Sequence, residues 1–312
     1  MTSNRVPPGA PPSSEIVGTV SALRRYRAKS LRGEDLPAAE VGRGGLVGDR
    51  THAVIDQHTG KVGSAKNPRL WRALLTMSAS ACPSPMPGGG DDGLPEVRIT
   101  LPGGAVVSSG APRVDRLLSH VLGRPVRLAD QLPPGAELER ADPLAVLRHG
   151  VDAEVPVVVG SLDRRNGHPE RPASFVDYAP LHLLTSATVD RIATLHPGGG
   201  VDLRRYRPNI VVRTPPGTAG FAENTWVGHR LRIGAELTLQ IVVTTPRCAI
   251  PTLAHGDLPR DTNALRVLAD HNRLPVPGMG EVACAGIYTQ VVSPGPVRHV
   301  DTVRLLRACD AH

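Results

Sequence analysis

Glycine and proline punctuate this chain so often that it must be rich in turns. Its 312 residues include 33 glycines and 31 prolines, roughly a fifth of the total and above the usual background. Phe, Tyr and Trp together supply only 3%, so a core must be assembled from Val, Leu, Ile and Ala. Short β-branched runs between turn residues favour strands over helices. A chain of this length makes one large domain or two of ordinary size, and two are expected here.

Read in order, the apolar run Ile16-Val17-Gly18-Thr19-Val20-Ser21-Ala22-Leu23 predicts a strand over Glu15 to Arg25, with Tyr26 to Ser30 as a loop. Hairpins are expected around His58-Thr59-Gly60 and around Pro102-Gly103-Gly104. Cys82 to Pro95 is too rich in Pro and Gly for regular structure. A helix is predicted over Val114 to Leu122, stopped by Gly123. Gln131 to Ala153 lacks periodicity and reads as a linker. Beyond it, Leu181 to Leu195 reads as a helix after Pro180, and Asn263 to His271 as a second, capped by Thr262. Strands are expected at Asn209 to Arg213, Leu231 to Ile233 and Leu237 to Thr244, and a closing pair, Ala285 to Val292 and Val297 to Leu306, around Ser293-Pro294-Gly295-Pro296. The expected class is α+β, mainly β with some helices, in two β-barrel-like units. Their limits are residues 15–130 and 154–308, joined by a linker over 131–153 and preceded by a disordered tail over 1–14.

The formal charge of +7 fits a nucleic acid, a membrane surface or an anionic small molecule. The arginines are dispersed singly or in pairs such as Arg24-Arg25 and Arg204-Arg205, without interleaved aromatics, so neither nucleic acid nor membrane is the expected partner. Cys82, Cys248, Cys284 and Cys309 show no CxxC spacing, which speaks against a zinc ribbon or dithiol motif and for a reduced, cytoplasmic setting. The tail lacks the apolar core of a signal peptide, and no run approaches the ~18 apolar residues of a membrane span.

Candidate chemistry concentrates in a few places. Thr245-Pro246-Arg247-Cys248 follows a strand-like run and sets a thiol beside a guanidinium. A neighbouring cation favours the thiolate, the form that attacks electrophiles or binds soft metals, whereas the plain alternative is a structural cysteine. Only Lys29, Lys61 and Lys66 are lysine. Lys29-Ser30 suits a phosphate through ammonium and hydroxyl, or is an exposed loop pair. Arg50 and Lys66 stand where paired strands would bring them together, although Asp49-Arg50 equally suits a surface ion pair. Arg207-Pro208-Asn209 offers a cation and an amide held by a rigid proline, fit for a flat heterocycle with an adjacent anion, or else a capped turn. His182 lies within the predicted helix, and no His pair has zinc spacing.

Taken in order, Tyr26-Arg27-Ala28-Lys29-Ser30-Leu31-Arg32-Gly33, Gly48-Asp49-Arg50, Asn67-Pro68-Arg69-Leu70, Asp177-Tyr178-Ala179-Pro180-Leu181, Arg207-Pro208-Asn209-Ile210, Glu223-Asn224-Thr225-Trp226, Leu231-Arg232-Ile233-Gly234, Arg247-Cys248 and Gly286-Ile287-Tyr288 resemble the MOSC family. The likeness is to its two-part members with an N-terminal β-barrel domain, such as the mitochondrial amidoxime-reducing component and its bacterial counterparts. That resemblance implies the molybdenum cofactor, with Cys248 as the protein's metal ligand and catalytic residue. It also implies Lys29, Ser30, Arg50, Lys66, Arg207 and Arg247 around the phosphate and pterin, and Asp177 and Asn209 at the pterin edge. The implied activity is reduction of N-hydroxylated or other N-oxygenated small molecules, with electrons from separate flavin and iron-sulfur or haem proteins. Alternatives within the resemblance are a carrier of cofactor or of sulfur as a Cys248 persulfide, and an enzyme acting on an N-oxygenated intermediate of a specialised biosynthetic pathway. A phosphate site of this kind also admits pyridoxal phosphate. Pro246, Lys66 and the stretch Thr252-Leu253-Ala254-His255-Gly256-Asp257 depart from the family pattern.

Overall fold

Seven strands close into a barrel in the computed structural model, which describes residues 14–82, 96–162 and 174–307. They are β1 (Ser14–Arg25), β2 (Leu181–Thr185), β3 (Ile210–Arg213), β4 (Arg230–Ile233), β5 (Leu237–Pro246), β6 (Gly280–Ser293) and β7 (Thr302–Leu306). Around the barrel the order is β2, β3, β1, β7, β4, β5, β6, and pairing of β6 with β2 completes the ring. Closure leaves no unpaired ladder edge within the ring. With strands making up 40% of the structure, the chain is mainly β.

Alternation explains most of these strands. Along β5, Leu237, Leu239 and Ile241 turn inward while Thr238, Gln240 and Val242 are partly exposed. They meet Val20 and Leu23 of β1, Leu183 of β2, Ile210 and Val212 of β3, and Val303 and Leu305 of β7. β1 and β7 come from opposite ends of the described chain, yet lie side by side. β1 also pairs with β3, so the first strand is built into the barrel formed otherwise by the second half. The residues after β1 therefore start at the barrel's rim.

The intervening region, from about residue 26 to 162, forms smaller sheets: Ser78–Ala81 with Val97–Thr100 and Val106–Ser108, Ala53–Asp56 with Val126–Ala129, and Glu137–Ala141 with Val157–Ser161. A separate core of Trp71, Leu74, Met77, Ile99, Leu118 and Val126 supports them. The helix Val114–Leu122 ends at left-handed Gly123, as the glycine stop predicts.

Several expectations need correction. Leu181–Thr185 is strand β2 rather than the start of a helix, and the helix occupies only Ser186–Leu195, with the Thr185 hydroxyl accepting from the Thr188 amide. Leu183 faces the barrel core, whereas Leu184 faces a second cluster with Ile192, Leu265 and Leu268. A strand covered on both faces loses its alternation, so its apolar run imitates a helix. The supposed linker contains strand Glu137–Ala141 and helix Pro143–His149, whose Asp142 cap and Pro143 were overlooked start signals. Val297 to Leu306 is two strands: Gly295–Arg298 pairs with Ala38–Gly42, while β7 pairs with β1 and β4. The hairpin around His58-Thr59-Gly60 is present but short: one antiparallel bridge, Ile55–Val62, flanked by the Asp56 amide to the Lys61 carbonyl (2.9 Å) and the Gly63 amide to the Val54 carbonyl (2.8 Å). Thr262 makes no side-chain cap; Asp261 accepts from the Asn263 amide instead. Cys309, the expected tail apart from Ser14, and the expected loop apart from Cys82 lie outside the described residues.

Gly286 is a position where the barrel requires glycine. Gly286 has φ +79°, and a Cβ there would lie 2.5 Å from the Leu183 carbonyl oxygen and 2.5 Å from His182 Nε2. Gly135 shares a positive φ of +67° but faces open space. Gly286→Ala is expected to cost about 3 kcal/mol or more and Gly135→Ala only about 1 kcal/mol. Equal losses in urea denaturation would contradict this account of the barrel wall.

Candidate functional site

Where β1 ends, the chain runs along the barrel rim and brings Lys29 and Ser30 to a cavity that also contains Cys248. Its lining includes Lys29, Ser30, Arg50, Lys66, Asp177, Arg207, Arg247 and Cys248, eight of the nine expected site residues. The ninth, Asn209, sits behind the wall, only 1% exposed. Its Oδ1 accepts from Arg50 (3.2 Å) and from the His182 amide (3.2 Å), and its Nδ2 donates to the Arg24 carbonyl (3.2 Å). In this geometry Asn209 positions the wall.

Cys248 lies two residues beyond β5, between that strand and the short helix Ile250–Thr252, and is 8% exposed. The Arg247 amide donates to the Ala283 carbonyl, which extends the strand register to the residue before the thiol. The Arg247 side chain packs on Tyr206, 5.5 Å from its ring centroid, and donates to the Tyr206 carbonyl (2.7 Å). Pro246 lines the cavity and is paired with Cys284 across the sheet.

The cations are held against one another by aromatic and acidic groups. The Tyr26 ring packs against two guanidiniums, Arg207 at 4.2 Å and Arg50 at 4.8 Å from its centroid. Asp49 pairs with Arg50 and accepts from the Tyr26 amide (2.7 Å). The ion pair expected for Asp49-Arg50 therefore exists, but within the site. Asp177 bridges Lys29 and Lys66, each at 2.8 Å, and Lys29 also donates to the Phe175 carbonyl (2.8 Å). Asp177 is thus a counter-ion for two lysines. Burial alone would raise its pKa, yet Lys29, Lys66 and Arg140 hold it well below the usual carboxylate range.

Burial dominates at Lys29, Lys66 and Arg207 and lowers their pKa values, while at Arg50 the ion pair with Asp49 outweighs burial and raises the pKa. Burial pushes Lys66 down to about 8, with Arg140 adding to the effect and Asp177 opposing it. It likewise lowers Arg207 to about 10, and Arg207 has no ion pair among the described residues. Burial and then Arg247 lower His182 to about 3, so this strand residue is a neutral imidazole between the Arg207 and Ala285 carbonyls. Ser30, Arg50 and Arg207 all have left-handed backbones, at φ 62°, 49° and 56°. Strain of this kind persists where surrounding structure over-determines it and gathers at functional sites.

Sequence reasoning missed Arg140, Ser64, Tyr206 and Tyr288 as lining residues and Tyr26 as the ring on which two arginines pack. Arg140 lay in the supposed linker, where no signal marked it. Tyr26 and Tyr288 each stood within a quoted motif and Tyr206 directly precedes one, and the shortage of aromatics in the chain was a usable signal for them.

The donor set suits a phosphate-bearing heterocycle that carries a soft metal. One thiol faces a group of cations, and no three His, Cys, Asp or Glu side chains form a metal cage among the described residues. A metal at Cys248 would then draw its other ligands from an organic group.

Comparison with known proteins identifies two family regions in the chain. A family model for the MOSC domain matches residues 170–304, and a model for the MOSC N-terminal beta barrel domain matches residues 17–92. MOSC domains are associated with molybdenum-cofactor-binding and sulfurase-like proteins. No curated protein matches the chain. Among solved structures, the YuaD protein from Bacillus subtilis is 10% identical, with a TM-score of 0.41 over 94% of this chain and 97% of that one. YiiM from Geobacillus stearothermophilus is 12% identical, with a TM-score of 0.30 over 50% of this chain and 69% of that one. No helix among the described residues is long and apolar enough to cross a membrane.

The Lys66 environment makes a prediction with a definite sign. Its folded pKa lies below the lysine value of 10.5, so the unfolded chain holds the proton more tightly. The resulting cost is fully present below about pH 8 and disappears as pH rises toward 10.5. Ligand-free protein should therefore gain stability from this group across that range. Lys66→Met should remove that gain and be more stable at neutral pH by about 1 kcal/mol. Urea denaturation at a series of pH values checks it; an identical pH slope in the variant would contradict it.

Proposed function

Because the chain belongs to the MOSC family, with that family's N-terminal β-barrel domain ahead of its MOSC domain, we propose that it binds the molybdenum cofactor and reduces N-oxygenated small molecules. The observation that carries this reading is the convergence of Lys29, Lys66, Arg50, Arg140, Arg207 and Arg247 on one cavity with the thiol of Cys248. When bound, the cofactor supplies two-electron oxygen-atom chemistry at its metal.

The chain's own residues divide the remaining work. Cys248 provides the protein's soft donor from a short, buried turn that fixes its direction. Lys29, Lys66 and Ser30 suit the phosphate. The Ser30 oxygen already accepts from the Ala65 amide (3.0 Å), which leaves its hydroxyl proton for a ligand. Arg50 and Arg207, both packed on the Tyr26 ring, offer guanidinium edges to the heterocycle. Asp177 screens the two lysines from each other and yields one or both to an incoming anion. Neutral His182 supports the wall and is held far from the range in which it would exchange protons near pH 7.

The sequence has no ferredoxin-type cysteine series, and no G-x-G-x-x-G run in it is followed by a plausible βαβ unit. Separate flavin and iron-sulfur or haem proteins are the proposed electron donors, and a reducing interior the proposed setting.

Protein made in a cofactor-competent host should contain molybdenum and release pterin on denaturation. With a chemical reductant it should turn over amidoximes or hydroxylamines. Cys248→Ala should lose at least about a hundredfold in activity, since even outer groups around a metal contribute ten- to a hundredfold. Its pterin should be retained better than its metal, because the cations remain. Cofactor loading without turnover of any N-oxygenated compound would favour the carrier, and molybdenum-free protein would remove both readings.

A further inference from the structure

Arg207 belongs to two cavities. Besides the one at Cys248, it lines a second of about 70 Å³ together with Arg24, Tyr26, Arg32, Arg204 and His255. His255 comes from the stretch after Cys248 that departs from the family pattern, so that departure builds a pocket separate from the thiol.

We propose that this second cavity is a binding site for a phosphate monoester group that still carries a proton. Two unmatched hydrogen-bonding atoms define the ligand. Nε of Arg32 is a buried donor with no hydrogen-bond partner among the described residues, and His255 Nε2 is a buried atom in the same condition; Nε of Arg24 also makes no hydrogen bond but has Asp35 Oδ1 3.2 Å away. His255 Nδ1 lies 2.8 Å from the Leu253 carbonyl, which can only accept, so the proton sits on Nδ1 and Nε2 presents a lone pair. His255 is 4% exposed, and burial followed by the charges of Arg207 and Arg205 lowers its pKa to about 4, which keeps it neutral.

The charge balance also asks for an anion. Arg204 is matched by Asp202 (2.7 Å) and Asp257 (3.0 Å), and Arg24 lies 3.2 Å from the exposed Asp35. Arg207 has no such partner, and Arg32 makes one long hydrogen bond, to the Thr76 carbonyl at 3.4 Å. Leaving buried polar and charged groups unmatched is costly, and a ligand that matches them recovers that cost. A carboxylate or sulfate satisfies the arginines but brings no proton for His255 Nε2. A protonated phosphate does both.

The pocket is built by the fold. Arg205, 4% exposed, donates to the carbonyls of Pro251 (3.3 Å), Leu253 (3.1 Å) and Pro259 (2.7 Å) and so fixes the loop that carries His255. Gly256, at φ +60°, lets Arg32 pack over the loop, since a Cβ there would lie 2.4 Å from the guanidinium.

The proposal does not depend on the molybdenum reading, and its test uses ligand-free protein. Inorganic phosphate and sulfate are titrated calorimetrically at about pH 6.5, where phosphate keeps much of its second proton. Lys66→Met serves as background, to weaken binding in the thiol cavity. Phosphate should still bind there, about tenfold more tightly than sulfate. Adding Arg32→Gln should weaken phosphate at least about tenfold, and His255→Phe should erase the preference over sulfate. Arg32→Lys, which keeps the charge but not the planar fork, is the companion variant if Arg32→Gln unfolds, and it should weaken phosphate in the same direction. Absence of phosphate binding in the Lys66→Met protein, or binding untouched by these changes, would overturn the proposal. Repeating the titration on cofactor-loaded protein identifies the source: binding that persists assigns the site to a phosphate on the substrate, and binding that is lost assigns it to the cofactor's own phosphate.

Discussion

Asn209 ties together the parts that make the cavity. Its backbone amide donates to the His182 carbonyl (2.7 Å), and its carbonyl accepts from the Arg24 amide (2.8 Å). Its side chain meanwhile joins Arg24, His182 and Arg50. One residue before β3 thus fastens the end of β1, the start of β2 and a loop of the N-terminal region. Burying so many backbone polar groups at a strand junction is tolerable only because each finds a partner. From that junction β1 launches Tyr26 to Ser30 along the rim, and the preceding barrel wall delivers Arg207 beside them.

The resulting site is poorly suited to being left without an anion. Two arginines share one tyrosine ring, two lysines share one carboxylate, and three lining residues hold left-handed backbones. Each arrangement carries a local cost in charge burial or in backbone conformation. Such costs are expected where binding, not stability, has shaped the residues. The ordered set of strands absorbs them, because a large apolar cluster contributed by all seven strands backs the rim.

Much of this was legible in the sequence, for identifiable reasons. The helix Val114–Leu122 has a regular apolar face and a glycine stop, and β5 alternates cleanly, so local pattern sufficed. Eight of the expected site residues meet in one cavity because each lies in a short motif next to a strand end or turn. What escaped notice depends on long-range contact. β2 imitated a helix because its two faces are covered by different cores. The division of Val297 to Leu306 between two sheets follows from pairing partners more than 200 residues away. Arg140 was hidden in a segment without periodicity, and the roles of Asp177 in holding two lysines and of Asn209 in holding the wall had no local signal. The family likeness located those residues, but only the geometry distinguishes a lining group from one that positions it.

The central claim is that Cys248 donates its sulfur to molybdenum inside this cation-lined cavity. X-ray absorption at the molybdenum edge, on wild type and on Cys248→Ser loaded with the cofactor, addresses it most directly. The account predicts that the variant loses one sulfur neighbour from the metal's first shell while the cofactor's own sulfurs remain. An unchanged sulfur shell in the variant would contradict it.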